Sequence, residues 1–337
     1  MRAPFTAAAV ILLVLAVVPA WTGEERLPLL QSRAQMDATP VLLDKSDPGR
    51  TRVGGLSFLG GVALSSRDPA FGGFSALAIE GERFTLLGDG GNVVRFRMGA
   101  DWRPCGLAFS YLPAGPRTGW DKRDRDSESL AADPQGRLYV GFENANAVWR
   151  YAPGFSRAEA LAVPRRMAGW AENGGAESLA RLPDGRFVAI SEASSVPRRA
   201  WRGGAKTRRR TRDAVIFSGD PTSPGTRQSR FAYQPVGRYD PVDAAALPNG
   251  DLMVLDRDFA LPFRWSNRLS IVPRAAIRAG TVARGRLIAT LDAPLLHDNF
   301  EGVAVTQEGR DTILWLVSDD NQFPLQRSLL LKFRLER

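Results

Sequence analysis

The chain has 337 residues, 44% of them hydrophobic and 24% charged, which allows a large buried core and excludes a disordered tail or a bundle of membrane spans. Its net charge of +9 is almost entirely arginine, the lysines being Lys45, Lys122, Lys206 and Lys332. This reads first as arginines spread over a solvated surface and second as attraction for an anionic partner. The single cysteine, Cys105, excludes an internal disulfide and a multi-cysteine metal site, and it reads as a small core residue.

The N-terminus has the pattern of an export signal over residues 1–20. Arg2 precedes an apolar run from Ala7 to Val18, and Val18-Pro19-Ala20 supplies small residues for cleavage. The run is short for a bilayer span, so the mature protein is expected to be periplasmic or secreted, without a stable span. Residues 21–50 are polar and broken by Pro28, Pro40 and Pro48, which reads as a linker. The folded domain is expected over 51–337 and opens with an apolar strand, Arg52 to Leu64, that has no partner beside it in sequence.

A repeated phrase follows: an acid, an apolar strand, a Pro-x-Gly turn, a second strand, another acid, a third strand. It runs Glu128-Ser-Leu-Ala, Pro134-Gln-Gly, Leu138 to Glu143 in one copy, and Glu177-Ser-Leu-Ala, Pro183-Asp-Gly, Phe187 to Glu192 in the next. Asp243-Ala-Ala-Ala, Pro248-Asn-Gly and Leu252 to Asp256 form another. The last copy runs from Glu301 through Ile313 to Asp319-Asp320. The first copy begins at Ser75 in place of an acid and ends at Asp89. Starts lie roughly fifty to sixty-five residues apart, the spacing of four-stranded propeller blades. Glycine (33) and proline (23) are plentiful and no long amphipathic helical pattern occurs. A β-sandwich would also use short strands but would not repeat one phrase. The expectation is an all-β chain forming a single β-propeller. Five four-stranded blades are visible; a sixth would be degenerate, and no turn for it can be seen. The last copy has three strands, so the N-terminal strand is expected to complete it and close the ring.

In each hairpin the start of the first strand and the end of the second share one end of the sheet. Glu128 is therefore expected beside Glu143, Glu177 beside Glu192, Asp243 beside Asp256 or Asp258, and Glu301 beside Asp319, with Asp89 alone in the first blade. Around a propeller axis these carboxylates make a ring at one channel mouth, suited to a hard oxygen-seeking cation such as Ca²⁺ with Asn321 as a further donor. The other reading of each acid is an acceptor for backbone N–H groups between blades. The insertion Arg198 to Arg212 follows Glu192 and so emerges at the same mouth, either to bind phosphate or as a solvated loop. His297, the only histidine, precedes Glu301, and it reads either as a loop hydrogen-bonding residue or as a proton donor. There is no Gly-x-Ser-x-Gly elbow, glycine-rich phosphate loop, zinc motif or dinucleotide fingerprint.

Three phrases carry a family likeness: Glu128-Ser-Leu-Ala with its Pro-x-Gly turn, Tyr239-Asp-Pro-Val-Asp-Ala-Ala with Leu-Pro-Asn-Gly-Asp, and Asn299-Phe-Glu-Gly-Val-Ala with Leu-Val-Ser-Asp-Asp-Asn-Gln. Over roughly residues 50 to 335 the chain resembles the bacterial phytase-like family, described as having esterase-like activity of phytase. The resemblance implies an exported β-propeller hydrolysing phosphoesters or carboxylesters. It also brings in the β-propeller phytases, where calcium ions at an acidic face hold an attacking water. On that reading Asp89, Glu128, Glu143, Glu177, Glu192, Asp243, Asp256, Glu301 and Asp319 are the expected metal-site residues. His297 and Glu301 are the expected catalytic pair, and Arg257, Asn321 and Arg327 the expected contacts to a small anionic or ester substrate. No nucleic-acid partner is expected, and the chain is expected to be a monomer. The alternative function is a non-catalytic envelope propeller that binds a ligand or protein.

Overall fold

The structure is a computed structural model that describes residues 27–201, 204–261, 264–323 and 325–336. The expected export signal, residues 1–20, lies outside the described residues. Among the described residues helix is confined to single turns such as Lys122–Arg125 and Ala205–Arg208.

Twenty of the strands form five antiparallel four-stranded blades. Blade 1 runs, from inner to outer strand, Phe74–Glu80, Arg83–Gly88, Asn92–Met98 and Pro104–Tyr111. Blade 2 is Ser127–Ala132, Leu138–Phe142, Ala147–Tyr151 and Ala158–Ala162. Blade 3 is Ser178–Arg181, Phe187–Ile190, Arg212–Phe217 and Gln228–Gln234, with Val282–Arg284 added in parallel at its edge. Blade 4 is Asp240–Ala246, Leu252–Ala260, Arg264–Val272 and Arg286–Leu291. Blade 5 takes Phe300–Glu308, Asp311–Ser318 and Ser328–Leu335 from the C-terminal part of the chain and Leu56–Ser65 from the N-terminal part. Leu56–Ser65 lies antiparallel to Ser328–Leu335, with Ser328 opposite Leu64 and Leu335 opposite Leu56. Within the segment read as a linker, Asp37–Pro40 adds a further strand outside Leu56–Ser65.

The inner hairpins turn as their sequences require. Gly136, Gly185 and Gly250 close the Pro-x-Gly turns at φ of 73°, 89° and 86°, where a side chain would be strained. In blade 2 Asp133 fixes the turn by accepting the Gln135 and Arg137 N–H groups at 3.0 Å each.

A flat blade has two faces to bury, so the apolar positions pack between neighbours around the ring. Five clusters result, one at each junction. Tyr139 and Phe187 meet between blades 2 and 3, and Phe84 and Trp315 between blades 1 and 5. The second of these junctions makes the five blades a closed ring. Cys105 departs from its expected place: it lies exposed on the outer strand of blade 1, not in the core.

Candidate active site at the channel mouth

Strand register places the mouth residues. In four blades the inner strand bulges where it leaves the mouth, leaving one residue unopposed: Ser75, Glu128, Val242 and Glu301. In blade 3 the pairing Ser178–Ile190 begins one step later, so Glu177 holds the same place. The second strands reach the mouth, in the same register, at Asp89, Glu143, Glu192, Arg257 and Asp319. A bulge turns its unpaired side chain out of the ladder, and at Glu128 and Glu301 this sends the carboxylate into the mouth. Ser75 instead donates to the carbonyl of Ser127, and Val242 packs in the apolar core between blades 4 and 5.

The result is a cavity of about 340 Å³ lined by Asp89, Lys122, Arg123, Asp126, Glu128, Glu143, Asn144, Asn173, Glu177, Glu192, Arg257, Glu301, Asp319 and Asn321. Eight carboxylates there face three basic side chains. Lys122 pairs with Asp89, and Arg257 with Glu301 and with Glu192 at 2.9 Å. Arg257 also donates to Asn299 Oδ1 at 2.8 Å, and Asn299 in turn donates to Glu301 at 2.8 Å. Asp319 accepts the Asn321 N–H at 2.6 Å.

Around blade 2 the balance is different. Asp126, Glu128 and Glu143 each present a carboxylate oxygen, and the three oxygens lie within 4.8 Å of one another. Asp126 is oriented by the side-chain amide of Asn144, and Glu143 by the N–H of Gly174. Burial, reinforced by Glu301, Asp126, Asp89 and Glu143, pushes the Glu128 carboxyl well above its usual range. Glu177 is raised in the same way, by burial and then by Glu128, Glu192 and Glu143. Burial and then Glu143 push Asp126 up to about 6. Asp319 is also raised, by burial and then by Glu301 and Asp89. Burial opposes the charge on Lys122, but Asp89, Glu128 and Asp319 outweigh it and hold the ammonium more firmly protonated than usual.

Nine of the expected site residues therefore line one cavity: Asp89, Glu128, Glu143, Glu177, Glu192, Arg257, Glu301, Asp319 and Asn321. Four do not. Asp243 and Asp256 each sit one residue off the mouth position, which Val242 and Arg257 hold instead. Asp243 accepts the N–H of Val303 in blade 5 at 2.7 Å, and Asp256 accepts the hydroxyl of Tyr233 in blade 3 at 2.8 Å. Both acids join blades. His297 is turned to the carbonyl of Leu295, with Nδ1 at 2.7 Å, and Arg327 pairs with Asp298 at 3.2 Å; neither lines the cavity. Arg257 lines it, but its guanidinium is occupied by two carboxylates and an amide, which makes it an internal counter-ion. Asp126 and Lys122 were not foreseen. Asp126-Ser-Glu128 matches Asn299-Phe-Glu301 in spacing, so aligning the repeats two residues further back exposes it. Lys122 comes from an inter-blade connection outside the repeat and carries no such signal.

Residues 69–322 match the family described as phytase-like, esterase-like activity of phytase. The chain belongs to the phytase-like family. No curated protein matches it in sequence. Among solved structures it is similar to a protein assigned as a gluconolactonase, at 11% identity over 92% of this chain and 97% of that one, with a TM-score of 0.45. It is also similar to the PQQ-bound aldose sugar dehydrogenase of Streptomyces coelicolor, at 14% identity over 90% and 99%, with a TM-score of 0.42. A virginiamycin B lyase of Staphylococcus aureus, solved with quinupristin, gives 9% identity over 89% and 100% and a TM-score of 0.41. At such scores no residue or activity is carried over from these proteins.

Proposed function

We propose that the phytase-like mouth is a calcium-dependent centre for hydrolysis of phosphoesters or carboxylesters. The observation that carries this reading is the Asp126–Glu128–Glu143 cluster, whose oxygens converge to within 4.8 Å with no basic side chain paired to any of them among the described residues. One buried and two half-buried carboxylates at that separation repel one another unless protons or a cation intervene. The donors fit a hard cation: they are all oxygen, and no histidine or cysteine lines the cavity, which disfavours zinc. When bound, Ca²⁺ would polarise the ester and acidify a water at neutral pH.

The chain's own residues divide the remaining work. Asn144 and the Gly174 N–H hold two of the three carboxylates in place. Arg123 lines the cavity without an acid paired to it among the described residues and offers positive charge to an anionic substrate, while Lys122 neutralises Asp89. Arg257 neutralises Glu192 and Glu301, which leaves the excess of negative charge on Asp126, Glu128 and Glu143 of blade 2, Glu177 of blade 3 and Asp319 of blade 5. The apolar run before residue 21 supports placing this activity outside the cytoplasm; among the described residues no helix is long and apolar enough to cross a membrane.

The alternative, a non-catalytic propeller whose acids only join blades, describes Asp243 and Asp256 well but not Glu128. Hydrolysis of p-nitrophenyl phosphate and p-nitrophenyl acetate, each with Ca²⁺ and with EGTA, separates the two. Calcium-dependent turnover that Glu128→Gln removes is the expected result. No turnover on either ester, together with no calcium binding by calorimetry, overturns the proposal.

A further inference from the structure

The mouth has an uneven rim. Blades 1 and 2 pass from second to third strand in tight turns at Asp89–Gly91 and Glu143–Asn146, whereas blades 3 and 5 use long connections there and blade 4 extends its hairpin past the mouth. In blade 4 the two strands stay paired as far as Ala260 opposite Arg264, three residues beyond the cavity-lining Arg257. At about 3.3 Å per residue the tip stands roughly 10 Å above the cavity floor. It carries Leu261, 85% exposed, above Phe259, whose ring rests on Trp265 at 4.4 Å. The blade 5 connection carries Leu325, 78% exposed. The blade 3 connection carries Arg198, Arg199, Arg209 and Arg210, all exposed and none paired with an acid among the described residues.

Isolated surface leucines are ordinary, but these stand on the mouth-side connections of adjacent blades, on one face with unpaired guanidinium groups. We propose that this rim docks the mouth face on an anionic lipid surface. Aliphatic tips suit the acyl boundary and arginines suit the headgroups, and the two together are the requirement for interfacial binding. The acidic floor does not prevent it, because its roughly 10 Å setback exceeds the Debye length of about 8 Å at physiological ionic strength. A soluble polyanion would use the arginines and leave the leucines without a role. A second copy meeting this face about a two-fold axis would set like charges against each other. The inference is independent of whether the floor hydrolyses esters.

Co-sedimentation of the chain from residue 21 onward, the expected mature form, with phosphatidylcholine vesicles, with and without phosphatidylglycerol, tests it. Without the N-terminal apolar run, binding reports on the rim alone. Leu261→Glu/Leu325→Glu is expected to weaken binding to the anionic vesicles at least about tenfold. Arg198→Glu/Arg199→Glu is expected to do the same, with an effect that shrinks as salt is raised. Leu59→Glu, on an outer strand away from the mouth, is expected to bind as wild type, and unchanged melting temperatures keep misfolding out of the comparison. Either rim variant binding anionic vesicles as wild type does, with its melting temperature unchanged, overturns the proposal. So does binding to heparin or to a second copy in the absence of vesicle binding.

Discussion

Blades 2 and 4 share a register and hold opposite chemistry. At the bulge blade 2 has Glu128 and blade 4 has Val242; at the end of the second strand blade 2 has Glu143 and blade 4 has Arg257. One residue along, Ser129 of blade 2 corresponds to Asp243 of blade 4. The acids of blade 4 have moved out of the mouth and into the ring's internal bonding, and a cation stands where an acid would. A repeated fold can therefore keep its backbone and reassign charge blade by blade, which makes one side of the mouth a counter-ion and the other a cation site.

The sharpest way to break this comparison is to remove the counter-ion. Arg257→Met leaves the half-buried Glu192 and Glu301 without a counter-ion, and stripping one member from such a group costs about 3–5 kcal/mol. Urea denaturation should show this loss, with added Ca²⁺ recovering part of it. A loss under about 1 kcal/mol would mean that Arg257 does not hold the blade 3–5 side together.

Asp256 comes next. Burial pushes its carboxyl up to about 7, opposed by the hydrogen bond from Tyr233. An acid whose folded pKa is raised binds more protons folded than unfolded, so stability falls as pH rises from about 4 through about 7. The span is on the order of 1–4 kcal/mol. Melting temperatures from pH 4.5 to 8 should slope downward, and Asp256→Asn should flatten that slope. An unchanged slope in the variant would assign the pH dependence to the raised mouth acids Asp126, Glu128, Glu177 and Asp319.

Glu128 tests the other half of the comparison. A ligand at a hundred times its dissociation constant stabilises by about 2.7 kcal/mol. Glu128→Gln should abolish the calcium-dependent rise in melting temperature while leaving the calcium-free value unchanged or higher, since it relieves repulsion with Asp126 and Glu143. Retention of the full rise would move the cation away from blade 2.

Much of this fold was legible because the propeller period is written in Pro-x-Gly turns whose glycines must adopt positive φ, and in acids recurring at strand ends. Glu128, Glu143, Glu177, Glu192, Glu301 and Asp319 were readable for the same reason. Blade 4 was not, because Val-Asp-Ala-Ala invites alignment on its acid, whereas the bulge falls on the valine. A slip of one residue exchanges the faces of a strand, so Asp243 and Asp256 were read into the mouth and Arg257 was read as a substrate contact. His297 misled for another reason: chain proximity to Glu301 says nothing of direction, and its ring points to the Leu295 carbonyl. Asp126 was hidden because the repeat was read from the acid onward.

The smallest expected effect bears on why blade 4 shifted its acid at all. In blade 2 the Ser129 hydroxyl donates to the carbonyl of Ala176 in the next blade at 2.8 Å, a neutral bond between neighbours. In blade 4 the corresponding link runs the other way: Asp243 accepts the Val303 N–H, and blade 5 has Gly302 at the matching place, where a Cβ would press on the Leu77 backbone of blade 1. Asp243→Ala strands the buried Val303 N–H and should cost about 1–3 kcal/mol, equally with and without Ca²⁺. Asp243→Asn keeps an acceptor and should recover most of that loss. If the alanine variant instead lost its calcium response, Asp243 would belong to the cation site after all, and blade 4 would be a fifth acidic blade rather than the counter-ion that sets the mouth's polarity.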